Sequence, residues 1–195
     1  MKKSILVLVS VIVAAAATSC ESKEEKATEL IKQELSHVLY DFGSYEPIET
    51  VITEAKHIPI NDSACVNKAL DVITYSDLIE KYLDDAYYES KSERVNAIKN
   101  ANIYIKKFNS SIDDLDMLVK NINPSEETIG YNVDHSFYYK TKGGASTVGH
   151  YRFVVDNKIK RIIFYFDETN DVMKTSYKIS SLIDCTHEKM DTLRI

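Results

Sequence analysis

The sequence predicts an α+β fold: an N-terminal helix and a long antiparallel helical hairpin, packed with a three-stranded antiparallel β-meander and a C-terminal helix. Two observations carry this. From residue 26 to 122 the apolar residues recur three and four apart, the period of helices buried on one face. From residue 131 the period drops to two, and glycine- and asparagine-containing turns separate the alternating runs. Helices and strands segregated along the chain make α+β rather than α/β. The composition is that of an ordinary globular unit. Its 195 residues are 44% hydrophobic and 28% charged, with five Gly, three Pro and three Cys, which excludes disordered, collagen-like and disulfide-scaffold chains.

Residues 1–19 stand apart from the fold. Met1-Lys2-Lys3 is a short basic start, and Ile5 to Ala17 is apolar or small except at Ser10. That run is shorter than the about 20 residues a membrane span needs and fits the apolar region of a secretory signal peptide. It ends in Ala17-Thr18-Ser19-Cys20, which resembles a bacterial lipobox. The resemblance implies cleavage before Cys20, acylation of its thiol (diacylglycerol, palmitate-type chains) and acylation of the new amine. Residues 20–25 read as an acidic tether. It resembles the tether that sends surface lipoproteins of Bacteroides-type bacteria to the outer leaflet.

Residues 26–195 are expected to form one domain: a helical part 26–122, a β-meander 131–167 and a C-terminal helix 171–183. Ala27, Leu30, Ile31, Leu35, Val38, Leu39 and Phe42 place a helix over 26–42, stopped by Gly43. Ser44-Tyr45-Glu46-Pro47 reads as a turn, and Ile48 to Thr53 as a short extended segment. Asp62 or Ser63 caps a second helix that runs to about Tyr88. A third runs from Ser92 to Ile122 on the stripe Val95, Ile98, Asn102, Ile105, Phe108, Ile112, Leu115, Val119 and Ile122, with a weak point at Asn109-Ser110-Ser111. Tyr131, Val133, His135, Phe137 and Tyr139 form one face of a strand. Val148–Val155 and Ile159–Phe166 follow as strands, joined at Asp156-Asn157-Lys158. Val172, Met173, Ser176, Ile179 and Ile183 share a face of the last helix.

A resemblance extends over most of the mature chain in two blocks. It is carried by residues 39–50 (Leu39-Tyr40-Asp41-Phe42-Gly43 through Thr50), by Ile129-Gly130-Tyr131-Asn132-Val133-Asp134-His135, by Lys140-Thr141-Lys142-Gly143-Gly144 and by residues 149–156. These resemble a family of uncharacterised small lipoproteins of Bacteroides-type bacteria. The resemblance implies a lipid-anchored envelope protein with a helix after the meander. It implies no activity, cofactor or site residue.

No catalytic or metal motif is present. None of His37, His57, His135, His150 and His187 pairs as His-x-x-x-His, and HExxH is absent. His135 and His150 fall on adjacent strands, but alternation turns the nearest carboxylate, Asp134, to the face opposite His135. No metal is therefore expected. Ser146 near His150, and Cys185 near His187, are the candidate nucleophilic pairs; a G-x-S-x-G elbow is missing, and a flexible loop and tail explain both. The Lys142-Gly143-Gly144 loop lacks the remaining P-loop spacing and lies between strands, so a turn needing positive φ explains its glycines. Cys65 and Cys185 are a candidate disulfide or two separate thiols.

Charge is the more informative pattern. Without Lys2 and Lys3 the chain carries 22 basic and 30 acidic side chains, net −8. Residues 131–161 carry Lys140, Lys142, Arg152, Lys158, Lys160 and Arg161 against Asp134 and Asp156, net +4. Lys140, Lys142, Arg152, Lys160 and Arg161 are therefore candidate contacts for an anionic ligand or partner. Protection of strand edges by lysine is the competing explanation. Nucleic acid is not expected as a partner. The thirteen Tyr suit a binding surface or a strand core equally, and the absence of Trp weakens a glycan reading. The sequence thus points to a lipid-anchored, outer-membrane binding domain without catalysis or cofactor. The alternatives are a hydrolase-like enzyme with a site near 143–150, and an immunity or envelope-stress protein. An exposed apolar stripe on the hairpin would favour the last.

Overall fold

The computed structural model describes residues 21–169 and 174–188, without the side chains of 187 and 188. The signal peptide, Cys20 and the start of the predicted last helix at 171–173 lie outside the described residues. The architecture is α+β: the described residues form four α-helices and a four-stranded antiparallel sheet. No described helix is long and apolar enough to cross a membrane.

Helix α1, Lys23–Val38, begins inside the predicted tether. Ser22 and Glu25 form a reciprocal capping box, so the chain becomes helical at Lys23, three residues after Cys20. The helix ends at Val38 rather than Phe42. Leu39 is already extended, and strand β1 follows at Asp41–His57. Gly43 therefore lies in a strand and stops no helix. Leu39 and Phe42 fit the helical stripe because they pack against the same core as Ile31 and Leu35, but from the connection and the strand.

β1 is 17 residues long and forms a fourth strand, where a short segment was expected. The sheet order is β1-β2-β3-β4, with β2 at Ser125–Lys140, β3 at Ser146–Asp156 and β4 at Ile162–Asp167. β1 is an edge strand, which is where a proline such as Pro47 is tolerated. Its register with β2 shifts at Asp41/Glu46 and again at Pro47/Glu49, so the predicted turn at 44–47 is a set of irregularities within the strand.

Between β1 and the hairpin lies a 3-10 turn, Pro59–Asn61. Helix α2, Ser63–Tyr88, is capped by Asp62, which accepts from the Ala64 and Cys65 amides. Helix α3, Lys91–Asn121, runs unbroken through Asn109–Ser111, where a bend was expected. Helix α4, Thr175–Glu188, packs Ile179 and Ile183 on Cys65, Val66, Ala69, Leu115 and Val119, against Phe166 of the sheet. Glu168, buried, caps this helix by accepting from the Ser176 amide at 3.3 Å and from its hydroxyl.

The sheet has two unlike faces. On one, Val133, Phe137, Tyr151, Phe153 and Val155 meet Ala27, Ile31 and Leu35 of α1 in a core with little space to spare. Gly149 lies directly beneath the Phe137 ring, and a Cβ there would fall 2.5 Å from the ring. Gly149→Ala is therefore expected to cost about 1–3 kcal/mol through displacement of a fully buried ring. The midpoint of urea unfolding measures this; an unchanged midpoint would show that the ring moves freely. Ile159, at φ 53°, is a β-branched residue in the left-handed region, held there because its side chain is buried in this core.

The core also contains a polar chain. Thr28 Oγ1 donates to the Glu24 carbonyl at 2.8 Å and so accepts from Thr50 Oγ1 at 2.9 Å. The Thr50 hydroxyl, its proton spent, accepts from His135 Nδ1 at 2.9 Å, and the Tyr45 hydroxyl donates to His135 Nε2 at 2.9 Å. One hydroxyl direction thus places a proton on His135 Nδ1, and burial keeps the imidazole neutral, so that Nε2 accepts from Tyr45. Burial pushes its pKa from 6.5 down to about 4, and raises that of Tyr45 to about 12.

Candidate interaction surfaces

The structure disperses most of the residues that the sequence nominated. Lys140 and Lys142 lie at the β2–β3 turn, Lys160 and Arg161 at the β3–β4 turn. These are opposite ends of β3, about 33 Å apart at 3.3 Å per residue. Arg152, midway, is already engaged: its Nε donates to Asp134 Oδ1 at 2.8 Å. Burial works against the guanidinium charge, but the Asp134 hydrogen bond, with the Asp134 and Glu168 carboxylates, outweighs it and raises the pKa. The +4 of this segment is thus a sum over separate places. It makes no continuous basic face.

The other constellations separate as well. His135 opposes Tyr151 and His150 opposes Ser136, so the two histidines occupy opposite faces of the sheet. His150 Nδ1 hydrogen-bonds Ser136 Oγ at 3.0 Å. Ser146 is four residues from His150 along an extended strand, about 13 Å. The 143–146 loop is a solvent-exposed turn closed by Thr141 N to Ala145 O, with Gly144 at φ 80°. Cys65 is buried and Cys185 exposed, and both are free thiols, so no disulfide joins them. Burial, with Asp62 nearby, pushes the Cys65 thiol up to about 11, far from a reactive thiolate. The side chain of His187 lies outside the described residues, so the Cys185–His187 pairing does too. Among the described residues no three His, Cys, Asp or Glu gather as metal ligands.

Two surfaces emerge instead. The first is the outer half of the hairpin. α3 is about 46 Å long at 1.5 Å per residue, and α4 covers the hairpin from its base, at Cys65 and Val119, out to Val72 and Phe108, where Leu182 packs. Farther out, the helices meet through small residues, Ala97 and Ala101, and through stacked Tyr82 and Tyr104. The predicted apolar stripe is thus buried along its inner part, at Phe108, Ile112, Leu115 and Val119, and only its outer end turns away from the interface. Val95 is 63% exposed and Ile98 45%; on α2, Leu83 is 52% and Tyr87 75% exposed. Tyr88 at the tip stacks edge-on against Tyr87 with centroids 4.9 Å apart. Acidic side chains flank them, and Glu93 beside Glu89 raises the Glu89 pKa by like-charge repulsion.

The second surface is the sheet face opposite α1. The pleat places Thr53, Asn132, Asp134, Ser136, Tyr138, His150 and Arg152 there, and the helical unit covers only the β4 side. Where the open part meets the 3-10 turn and α4 there is a cleft of about 210 Å³, lined by polar Thr53, Asn132, Asp134 and Arg152 and apolar Ile58, Ile60, Val154 and Phe166. Sequence reading weighed Arg152 as one of several basic residues and passed over its partner. The signal was the hairpin register: closing the ladder at Lys140 and Ser146 sets Asp134 opposite Arg152, six residues along each strand.

No protein-family model, curated protein or solved structure matches this chain.

Proposed function

We propose that this chain is a lipid-anchored protein of the cell envelope, acylated at Cys20, that acts by binding another protein through the outer half of its helical hairpin rather than by catalysis. The observation that carries this reading is the exposure of four large apolar residues, Leu83, Tyr87, Val95 and Ile98, on the outer half of the hairpin. Residues spaced for burial and left in water are the mark of a surface completed by a partner. Among helical binding elements, aromatic anchors of this kind supply most of the affinity. The basic residues first considered for docking are too dispersed to form one site, so the reading no longer rests on charge. The lipobox-like Ala17-Thr18-Ser19-Cys20 supports the anchor, and the resemblance of the acidic start to surface-lipoprotein tethers supports an outer-membrane location. It also suits α1, which starts close enough to Cys20 to hold the domain near the lipid.

Two measurements test the reading. Metabolic labelling with a palmitate analogue is expected to mark the wild-type chain and not Cys20→Ser, which should also leave the membrane fraction; equal labelling of both removes the anchor. Chemical crosslinking in intact cells is expected to trap a discrete complex that Leu83→Ser/Tyr87→Ser/Val95→Ser loses. That triple variant should unfold within about 0.5 kcal/mol per site of wild type, as exposed positions do. A complex that survives it removes the hairpin from the account.

A further inference from the structure

We propose that the cleft between the open sheet face and α4 is a binding site for a small, neutral, hydroxyl-rich ligand, of the size of a polyol or a single sugar ring. The inference rests on what the Asp134–Arg152 pair leaves unused. Only Nε of Arg152 and Oδ1 of Asp134 are spent on each other, at 2.8 Å. Among the described residues, the terminal nitrogens of Arg152, Oδ2 of Asp134, the side-chain amide of Asn132 and the hydroxyl of Thr53 make no hydrogen bond. The pair keeps 36% and 47% of its side-chain surfaces open. The cleft thus offers a fixed donor edge, a fixed acceptor and two groups that do both, beside one another on rigid strands.

The charge balance sets the ligand class. One guanidinium stands beside two carboxylates, Asp134 and the buried Glu168, and Glu168 has Lys174 at 3.8 Å. An anion would meet the carboxylates, and a metal would lack ligands. A neutral ligand is left, and hydroxyl groups fit best because each donates and accepts at once. Neighbouring hydroxyls can bridge the donor and acceptor that Arg152 and Asp134 hold side by side. Ile58, Ile60, Val154 and Phe166 supply apolar walls for C–H surface. The volume, about 210 Å³, lies below the roughly 300–1,000 Å³ of pockets for drug-sized ligands and limits the occupant to one ring or a chain end. This site is distinct from the hairpin surface and stands or falls without it.

The test is a saturation-transfer NMR titration of the full chain in detergent with glycerol, glucose and galactose, and with acetate and acetamide as comparators. At least one hydroxylated probe is expected to bind with a dissociation constant in the millimolar range, as befits a few hydrogen bonds in a small cleft. Arg152→Met and Asp134→Ala should each weaken it about tenfold or more. Thr53→Val, which keeps the side-chain shape, should weaken it by a smaller factor, and Lys142→Ala at the far turn should change nothing. Urea unfolding of each variant identifies any that fail to fold. The proposal is overturned if no hydroxylated probe binds, if acetate or acetamide binds more tightly, or if folded variants in the cleft bind as wild type does.

Discussion

Replacing Gly130 with alanine is expected to lower stability by about 3 kcal/mol or more, the upper end of what overpacking costs. Gly130 sits in the inner strand β2 between Ala55 of β1 and Asp156 of β3, at the end of the β2–β3 ladder. A Cβ there would lie 2.0 Å from the Val155 carbonyl oxygen and 3.1 Å from its carbon. Those are backbone atoms, so no rotamer change relieves the clash; β2 and β3 must move apart or lose their register. The glycine is required for close approach, since its φ is not in the left-handed region. Gly149→Ala, which meets only a side chain, should cost less. The urea midpoint measures the difference, and a loss near 3 kcal/mol would also lower Tm by about 10 °C in a domain of this size. A midpoint within 0.5 kcal/mol of wild type, by the same scale that applies to surface changes, would mean that β2 and β3 do not approach here as described.

The second large effect is loss of stability in acid, traced to His135. The folded pKa, about 4, lies below the unfolded value of 6.5 because burial disfavours the imidazolium. Between those values the unfolded chain binds a proton that the folded chain does not. Stability therefore falls with decreasing pH, by up to about 1.4 kcal/mol per pH unit and about 3 kcal/mol in all. The contribution is fully present above pH 6.5 and is lost as pH falls from 6.5 to about 4. Protonation also reverses the last bond of the chain, because Nε2 becomes a donor and the Tyr45 hydroxyl must turn to accept from it. His135→Leu should be less stable than wild type at pH 7, since Tyr45 and Thr50 lose their partner. Its stability should nevertheless change less between pH 7 and 4.5 than that of wild type. Unfolding of both proteins at those two pH values decides it; equal pH dependence would remove His135 as the cause.

The helices were legible because their stripes are continuous and their caps strong. Asp62 begins α2 where its side chain can accept two amides, and α3 ends near Pro124. β1 was not legible. Its pattern is interrupted by Pro47 and by register shifts, and Leu39 and Phe42 mimic a helical continuation because they share a core with α1. Periodicity reports that a residue is buried more reliably than it reports the element that carries it. The hairpin shows the reverse case. Val95 and Ile98 are spaced for burial, but Ala97 and Ala101 allow a closer helix contact and take the interface, so the larger residues face water. Spacing could not rank the two stripes, because that choice depends on how closely two helices approach. The Arg152–Asp134 pair was hidden for another reason: a charge summed over a segment ignores which strand faces which. The buried His135 could be read as an inward strand residue, but not as the link between two β1 hydroxyls, those of Tyr45 and of Thr50, the second of which also meets Thr28 of α1.

The central claim is that the outer hairpin meets a protein partner, and a site-specific photo-crosslinker in the native host tests it most directly. Placed singly at Leu83, Tyr87 and Val95, it is expected to give one discrete adduct shared by the three positions. Placed at Glu126, an exposed position on the sheet side with a 99% open side chain, it should give none. Arm positions that yield no adduct, in a chain that is expressed, folded and retained in the membrane fraction, would contradict the account.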